Sequence, residues 1–323
     1  MKTYSLAHSD LEVSRIAYGC LAIGRKWGAI DVAEARRNTA EVIEAVLERG
    51  INFFDHANIY ANGRSEALFG DVLREQPSLR DAMVIQTKCG VRFEGDPNPN
   101  TPGRYDFSYD HIVTSVAASL KRLSIGQLDL LVLHRPDALM EPDEVARAFA
   151  DLRQAGKVRY FGVSNFNAAQ LALLQRSCDA PLVVNQLQLS LLHPHLINEG
   201  VSMNQTGYDY VETNGTLDYC RLQGLRVQPW TPLARGNFIQ PPPDASEHVV
   251  AVANEVARVA TALETSREAV ALAWLLRHPA GFQPIIGTTD PQRIAHACRA
   301  DDVVMSRETW YHLFNTARGK PVP

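Results

Sequence analysis

Short apolar runs alternate with amphipathic stretches along the chain, and the alternation repeats from end to end. Tyr4–Leu6 and Leu11–Val13 flank the polar turn His8-Ser9-Asp10 and predict a small hairpin, and Ile16–Gly19 follows as a first buried strand. Asp31–Arg49 places Val32, Ala35, Val42, Ile43, Val46 and Leu47 on one helical face, with Gly50 as the stop. Ile51–Asp55 then reads as a strand, Glu66–Leu73 as a helix, Met83–Lys88 as a strand and Tyr109–Leu123 as a helix. Leu128–His134 is apolar on both faces, the pattern of a strand covered on both sides. The same units recur as Asp143–Ala155 with Val158–Val163, Ala168–Arg176 with Leu182–Gln186, and Asp218–Gln223 with Leu225–Trp230. Helices at Val249–Leu263 and Ser266–Arg277, a last strand at Pro284–Ile286, and helices at Pro291–Ala300 and Ser306–Ala317 complete the series.

Eight strands alternating with helices imply an α/β fold with a parallel sheet, and eight units without a linker-like break favour a closed (β/α)8 TIM barrel. The expectation is a single domain over residues 1–323. About 250 residues suffice for such a barrel. The surplus goes to the N-terminal hairpin, to the polar stretch Leu191–Thr216 as a long loop after strand six, and to an extra C-terminal helix.

Composition narrows the class. Thirty-two basic and 36 acidic residues leave a net charge of −4, so no electrostatic ground exists for a nucleic-acid or anionic-membrane partner. The five cysteines (Cys20, Cys89, Cys178, Cys220, Cys298) form no C-x-x-C pair, which argues against a zinc ribbon or disulfide scaffold and suits a reducing cytoplasm. Met1–His8 lacks the apolar core of a signal peptide, and Ala269–Leu276 is far short of the ~20 residues of a membrane span. Sequons at Asn204 and Asn214 therefore have no glycosylation context.

Several motifs fail on inspection. Gly19–Lys26 begins like a phosphate loop, but Arg25 stands where the lysine must reach the phosphates. Gly162-Val163-Ser164-Asn165-Phe166 lacks the second glycine of a nucleophile elbow. His193-Pro194-His195 has no carboxylate-rich partner cluster, so no metal is expected. No G-x-G-x-x-G follows the first strand, so a Rossmann site is unsupported.

In a (β/α)8 barrel the chemistry sits at the C-terminal strand ends. Here those ends are Asp55, Lys88, His134, Ser164-Asn165, Asn185-Gln186 and Trp230, and Tyr60 lies five residues beyond Asp55. Such a set suits protonation of an alkoxide. A lysine cation lowers a phenol's pKa, a carboxylate keeps the lysine charged, and a neutral histidine orients a carbonyl oxygen. The carbonyl carbon needs a hydride, which no side chain supplies, so a nicotinamide or flavin is required. Trp230 offers a stacking face, and Asn165 and Gln186 offer amides for a carboxamide.

The segment Gly50–Tyr60, continuing through Gly63, Ser65, Glu66 and Gly70, resembles the signature of the aldo-keto reductase superfamily. So do Leu128–Pro136, Gly156–Phe166, Trp230–Gly236 and Ile285–Arg293. The resemblance runs from about Leu6 to about Ala300 and is closest to the bacterial NADP-dependent type. It implies a barrel that uses NADPH/NADP+ to reduce an aldehyde or ketone, with the tetrad Asp55, Tyr60, Lys88 and His134 and with Tyr60 as general acid. It implies nicotinamide contacts at Ser164, Asn165, Gln186 and Trp230, and a pyrophosphate path along Thr231, Leu233, Arg235 and Gly236. Gly287, Thr288, Thr289 and Arg293 correspond to a 2′-phosphate site. Trp27, Phe93 and Phe238 are candidate walls of the substrate pocket.

There are departures from the family pattern. Trp230 replaces a common tyrosine, Gly287 a common lysine, and His296 and Ala297 a Glu-Asn pair near the adenine, so NADP preference rests on Arg293 and the two threonines. His56 replaces a common small threonine or serine. The alternative reading is a nucleotide-binding regulatory barrel with little turnover, like the family's channel β-subunits. A phosphate-binding isomerase or lyase barrel leaves Tyr60 and Trp230 unexplained.

Overall fold

The computed structural model describes residues 1–27, 31–202 and 213–323. Eight parallel strands make one sheet: β3 (Ala17–Gly19), β4 (Phe53–Asp55), β5 (Val84–Cys89), β8 (Leu128–Leu133), β9 (Val158–Ser164), β10 (Leu182–Gln188), β11 (Arg226–Trp230) and β12 (Ile285–Ile286). Their order is β11-β10-β9-β8-β5-β4-β3-β12, and the Gln283 amide donates to the Val227 carbonyl at 3.1 Å, which draws the two ends together. The result is a nearly closed (β/α)8 barrel. Helices α1 (Leu21–Trp27), α2 (Val32–Glu48), α3 (Arg64–Glu75), α4 (Tyr109–Leu123), α5 (Pro142–Gln154) and α6 (Ala168–Ser177) lie between the strands. Beyond β10 come α7 (His195–Ser202), α8 (Thr216–Leu222), α9 (Glu247–Ala262), α10 (Arg267–Leu276), α11 (Pro291–Cys298) and α12 (Arg307–Arg318).

The strand period of two sorts side chains into two cores. Along β8, Leu131 and Leu133 face the helices, whereas Leu130 and Val132 join Phe53, Val84 and Val184 inside the barrel. The hairpin of β1 (Thr3–Ser5) and β2 (Glu12–Ser14) is antiparallel, and Leu6, Leu11 and Val13 from it are buried in the same inner core. The hairpin thus plugs one end of the barrel and leaves the other to function.

Three features depart from the sequence pattern. Residues after Gly19 form helix α1 rather than a loop. After β5 a second small hairpin, β6 (Val91–Arg92) with β7 (Arg104–Tyr105), projects from the strand that carries Lys88. The stretch expected as one long loop, Leu191–Thr216, contains α7, whose Leu196 and Ile197 are buried; its residues 203–212 lie outside the described residues, as does the sequon at Asn204. No helix among the described residues is long and apolar enough to cross a membrane.

Candidate active site

The inward period of the barrel places Asp55 on β4 and both Gln86 and Lys88 on β5. Lys88 has no exposure, and its Nζ donates to Asp55 Oδ1 at 2.5 Å and to the His56 carbonyl at 2.8 Å. A buried ammonium is tolerated only with such partners. Burial is the largest single influence and lowers the lysine, but Asp55 and Tyr60 together outweigh it and hold Lys88 above its usual value.

The chain after β4 keeps hydrogen-bonding to β5. The His56 amide donates to the Gln86 carbonyl at 2.8 Å and the Asn58 amide to the Lys88 carbonyl at 3.0 Å. This continuation folds Tyr60 over Lys88, with Nζ 4.9 Å from the ring centroid. The turn then passes through left-handed Ala61, Asn62 and Gly63 into α3. Glu66 on α3 is fully buried; it accepts from Thr87 on β5 at 2.6 Å and from Arg122 on α4 at 2.7 Å, tying down both flanks of the site.

The lysine pulls the Tyr60 phenol down, as the sequence implies, but burial is the larger cause and the net direction is upward. Tyr60 is therefore held as the protonated phenol in the absence of ligand. His134 follows β8, its ring 6.1 Å from that of Tyr60 and nearly perpendicular to it. Burial first, then the charges of Lys88 and Arg135, push it well below the usual histidine range, so the imidazole is neutral. Its Nδ1 is buried and without a partner.

Asp55, Tyr60 and His134 open onto a groove of about 860 Å³. The same groove is lined by Ser164, Asn165, Gln186, Trp230, Thr231, Leu233, Arg235, Gly236, Gly287, Thr288, Thr289 and Arg293. All twelve residues that the sequence resemblance assigns to a cofactor thus share one surface with the strand-end acid–base groups. Asn165 links the parts: its Oδ1 accepts from Trp230 Nε1 at 3.2 Å, and its Nδ2 donates to the His134 carbonyl at 3.3 Å. Asn165, Thr231, Ala234 and Arg235 all adopt positive φ, and such strain gathers where a ligand site over-determines the backbone. An elongated dinucleotide fits this surface, with an aromatic face and amides at one end and hydroxyls and guanidinium groups at the other.

Other expectations need correction. Phe238 has no exposure and packs in the outer core, because the turn after Gly236 carries its ring inward; it does not line the groove. Phe93 is 52% exposed on the β6–β7 hairpin and does not line the groove. Trp27 ends α1, and its side chain lies outside the described residues.

Sequence reasoning missed Arg25, Lys26, Arg135 and Glu268, all of which line the groove. Lys26 donates to Thr289 Oγ1 at 3.0 Å, so the segment rejected as a phosphate loop reaches the groove as a helix. Arg135 lies 5.5 Å over the Trp230 ring. Glu268 pairs with Arg293 at 3.6 Å, and Asp290 already caps the start of α11 by accepting from the Gln292 amide. An anion there would depend on side chains more than on the helix terminus. No group of three or more potential metal ligands occurs among the described residues.

The chain matches the aldo/keto reductase family over residues 15–313. It is 38% identical to oxidoreductase YdhF of Escherichia coli, covering 99% of this chain and 98% of that protein. It is likewise 38% identical to the 6-dehydroglucose reductase of Agrobacterium fabrum, covering 98% and 99%. Among solved structures, the glycerol dehydrogenase AKR11B4 from Gluconobacter oxydans superposes with a TM-score of 0.81 at 26% identity, over 99% of this chain and 97% of that one.

His56 replaces the family's small residue, and its ring packs 4.6 Å from that of Phe69 with both nitrogens buried and unpartnered. Burial, then the Lys88 charge, pushes it from 6.5 down to about 3. Between those values the unfolded chain binds more protons than the native one, so this contribution to stability is complete above 6.5 and lost as pH falls toward 3. One such group gives a slope of ~1.4 kcal/mol per pH unit. Urea unfolding between pH 4 and 7 should show a shallower slope in His56→Leu than in the parent; equal slopes contradict the assignment.

Proposed function

We propose a carbonyl reductase activity for this chain, which belongs to the aldo/keto reductase family and is an oxidoreductase. The observation that carries the reading is the convergence of Tyr60, His134 and the Lys88–Asp55 pair on the groove that also holds Trp230, Asn165 and Gln186. The family uses nicotinamide cofactors, and we take the bound form here to be NADPH, which supplies a hydride to the carbonyl carbon of an aldehyde or ketone.

The residues divide the remaining work. Trp230 presents a ring face, while Ser164, Asn165 and Gln186 provide the polar groups that orient a carboxamide. Neutral His134 donates a hydrogen bond to the carbonyl oxygen and sets its direction. Tyr60 delivers its proton to that oxygen as negative charge develops. Lys88 then stabilises the phenolate, and Asp55 keeps Lys88 charged and in place. Burial maintains a full population of protonated donor, and the adjacent ammonium makes its release possible.

The Agrobacterium relative's name makes 6-dehydroglucose a direct first substrate to assay. Loss of nicotinamide absorbance with that compound and a panel of simple aldehydes and ketones tests the activity. Tyr60→Phe keeps the ring and removes the proton. It should bind NADPH normally, by quenching of tryptophan fluorescence, yet lose at least ~10²-fold in kcat. Near-normal kcat in that variant moves the donor role to His134.

Cofactor choice follows from Arg293, Thr288 and Thr289 in the groove, with Lys26 bonded to Thr289. A guanidinium contact to a 2′-phosphate is worth roughly 1–3 kcal/mol. NADPH should therefore bind more tightly than NADH by about 5- to 150-fold, and Arg293→Ala should erase most of that ratio in a fluorescence titration. Equal affinities in the parent, or an unchanged ratio in the variant, contradict it.

A further inference from the structure

Below Asp55 the barrel interior is not filled by the branched apolar side chains usual in this architecture alone, although Leu130, Val132 and Val184 are among them. It holds four glutamines: Gln86 on β5, Gln186 on β10, Gln228 on β11 and Gln283 just before β12, none more than 3% exposed. Strand register sets them side by side, Asp55 opposite Gln86 and Gln186 opposite Gln228. Gln86 Nε2 donates to Asp55 Oδ1 at 2.6 Å and to Gln228 Oε1 at 3.1 Å. Gln186 Nε2 does the same at 3.1 and 3.4 Å. Gln228 Nε2 donates to Gln283 Oε1 at 2.9 Å, and Gln283 Nε2 to the Ser14 carbonyl at 2.8 Å. A chain of carboxamides therefore connects the hairpin plug with the active-site carboxylate, its N–H groups donating outward from Gln86 and Gln186 toward both ends.

Stability alone gives no reason for it, since buried polar groups replaced together by apolar ones of similar shape are often neutral or stabilising. We propose that the glutamine chain is a positioning device for Asp55, with Gln228 as its clamp. The single oxygen Gln228 Oε1 receives one N–H from each of Gln86 and Gln186, which turns their second N–H onto Asp55 Oδ1. Asp55 Oδ1 then divides its charge among two amides and Lys88 Nζ. With the amides absent, Lys88 is the only side-chain donor left to that oxygen among the described residues, the ammonium is drawn onto the carboxylate, and less of its charge reaches Tyr60. Carboxamides neither gain nor lose protons in the working pH range, so the chain orients the site without opening a proton path into the core.

This inference rests on Tyr60 as the proton donor. The titratable groups that act on Tyr60 are Lys88 from β5, Asp55 from β4 and Cys20 after β3, with the His134 ring beside it; Gln228 hydrogen-bonds to none of them. In Gln228→Leu, with NADPH and 4-nitrobenzaldehyde, kcat should fall roughly tenfold. The pH limb belonging to Tyr60 should move up by about one unit, with KM for the aldehyde unchanged. A lower melting temperature with unaltered kcat and pH profile shows that the glutamines only pack, and overturns the proposal. If Tyr60→Phe is fully active, the functional reading fails instead. A second readout needs neither activity nor that variant. In protein labelled with 15N-glutamine, the side-chain N–H resonances of Gln86 and Gln186 should be protected from solvent exchange and should shift in Asp55→Asn. Rapid exchange, or no shift, overturns the proposal.

Discussion

A lysine ammonium with no contact to water persists inside a protein only if fixed groups replace its hydration. In this barrel the replacement is the Asp55 carboxylate at 2.5 Å, the His56 carbonyl at 2.8 Å and the Tyr60 ring 4.9 Å away. The pair depends on strand order, because β4 and β5 must be neighbours in a register that faces Asp55 and Lys88 inward together. It also governs the groups above it. Its net effect on Tyr60 is a balance in which burial raises the phenol and the ammonium lowers it, with burial the larger. The same charge, with burial, keeps His134 and His56 neutral. Burial first, and the charge of this one ion pair second, thus set the protonation state of three neighbouring side chains.

The polar surroundings extend this control in two directions. Toward the groove, Gln186 touches Asp55 and lines the surface where Ser164, Asn165 and Trp230 converge, so the Asp55–Lys88 pair and the groups we propose to orient a nicotinamide adjoin one another. Toward the plug, the glutamine chain reaches Ser14 of the N-terminal hairpin. At the far end of the groove the balance of charge is less one-sided than the sequence suggests. Arg293 faces Glu268, Asp290 occupies the start of α11, and Lys26 arrives from α1 to bond Thr289.

Much of the architecture is legible from periodicity alone, because a barrel strand buried on both faces leaves a clear apolar run and a polar residue where it ends. Asp55, Lys88 and His134 are visible for that reason, and Tyr60 through its spacing from Asp55. The glutamine chain is not visible in the same way. Gln86 and Gln228 each interrupt an otherwise ordinary strand, and only the register between strands distant in sequence shows that they meet. Helix α1 was hidden behind a glycine-rich start that looked like a loop. Phe238 follows a cofactor-like segment and looks like a pocket wall, but the local turn sends its ring into the outer core. Composition and spacing identify which residues carry chemistry; the direction in which a side chain leaves a turn is decided by packing.

The central claim is that Lys88 lowers the pKa of a half-buried Tyr60 that desolvation alone would leave higher still. A titration followed by NMR of 13Cζ-labelled tyrosine, with the Tyr60 resonance assigned by its absence in Tyr60→Phe, measures this without substrate or turnover. The account predicts that Lys88→Met moves the Tyr60 midpoint upward, or out of the accessible range, while other tyrosines stay where they are. A Tyr60 midpoint that is unchanged or lower in Lys88→Met contradicts it.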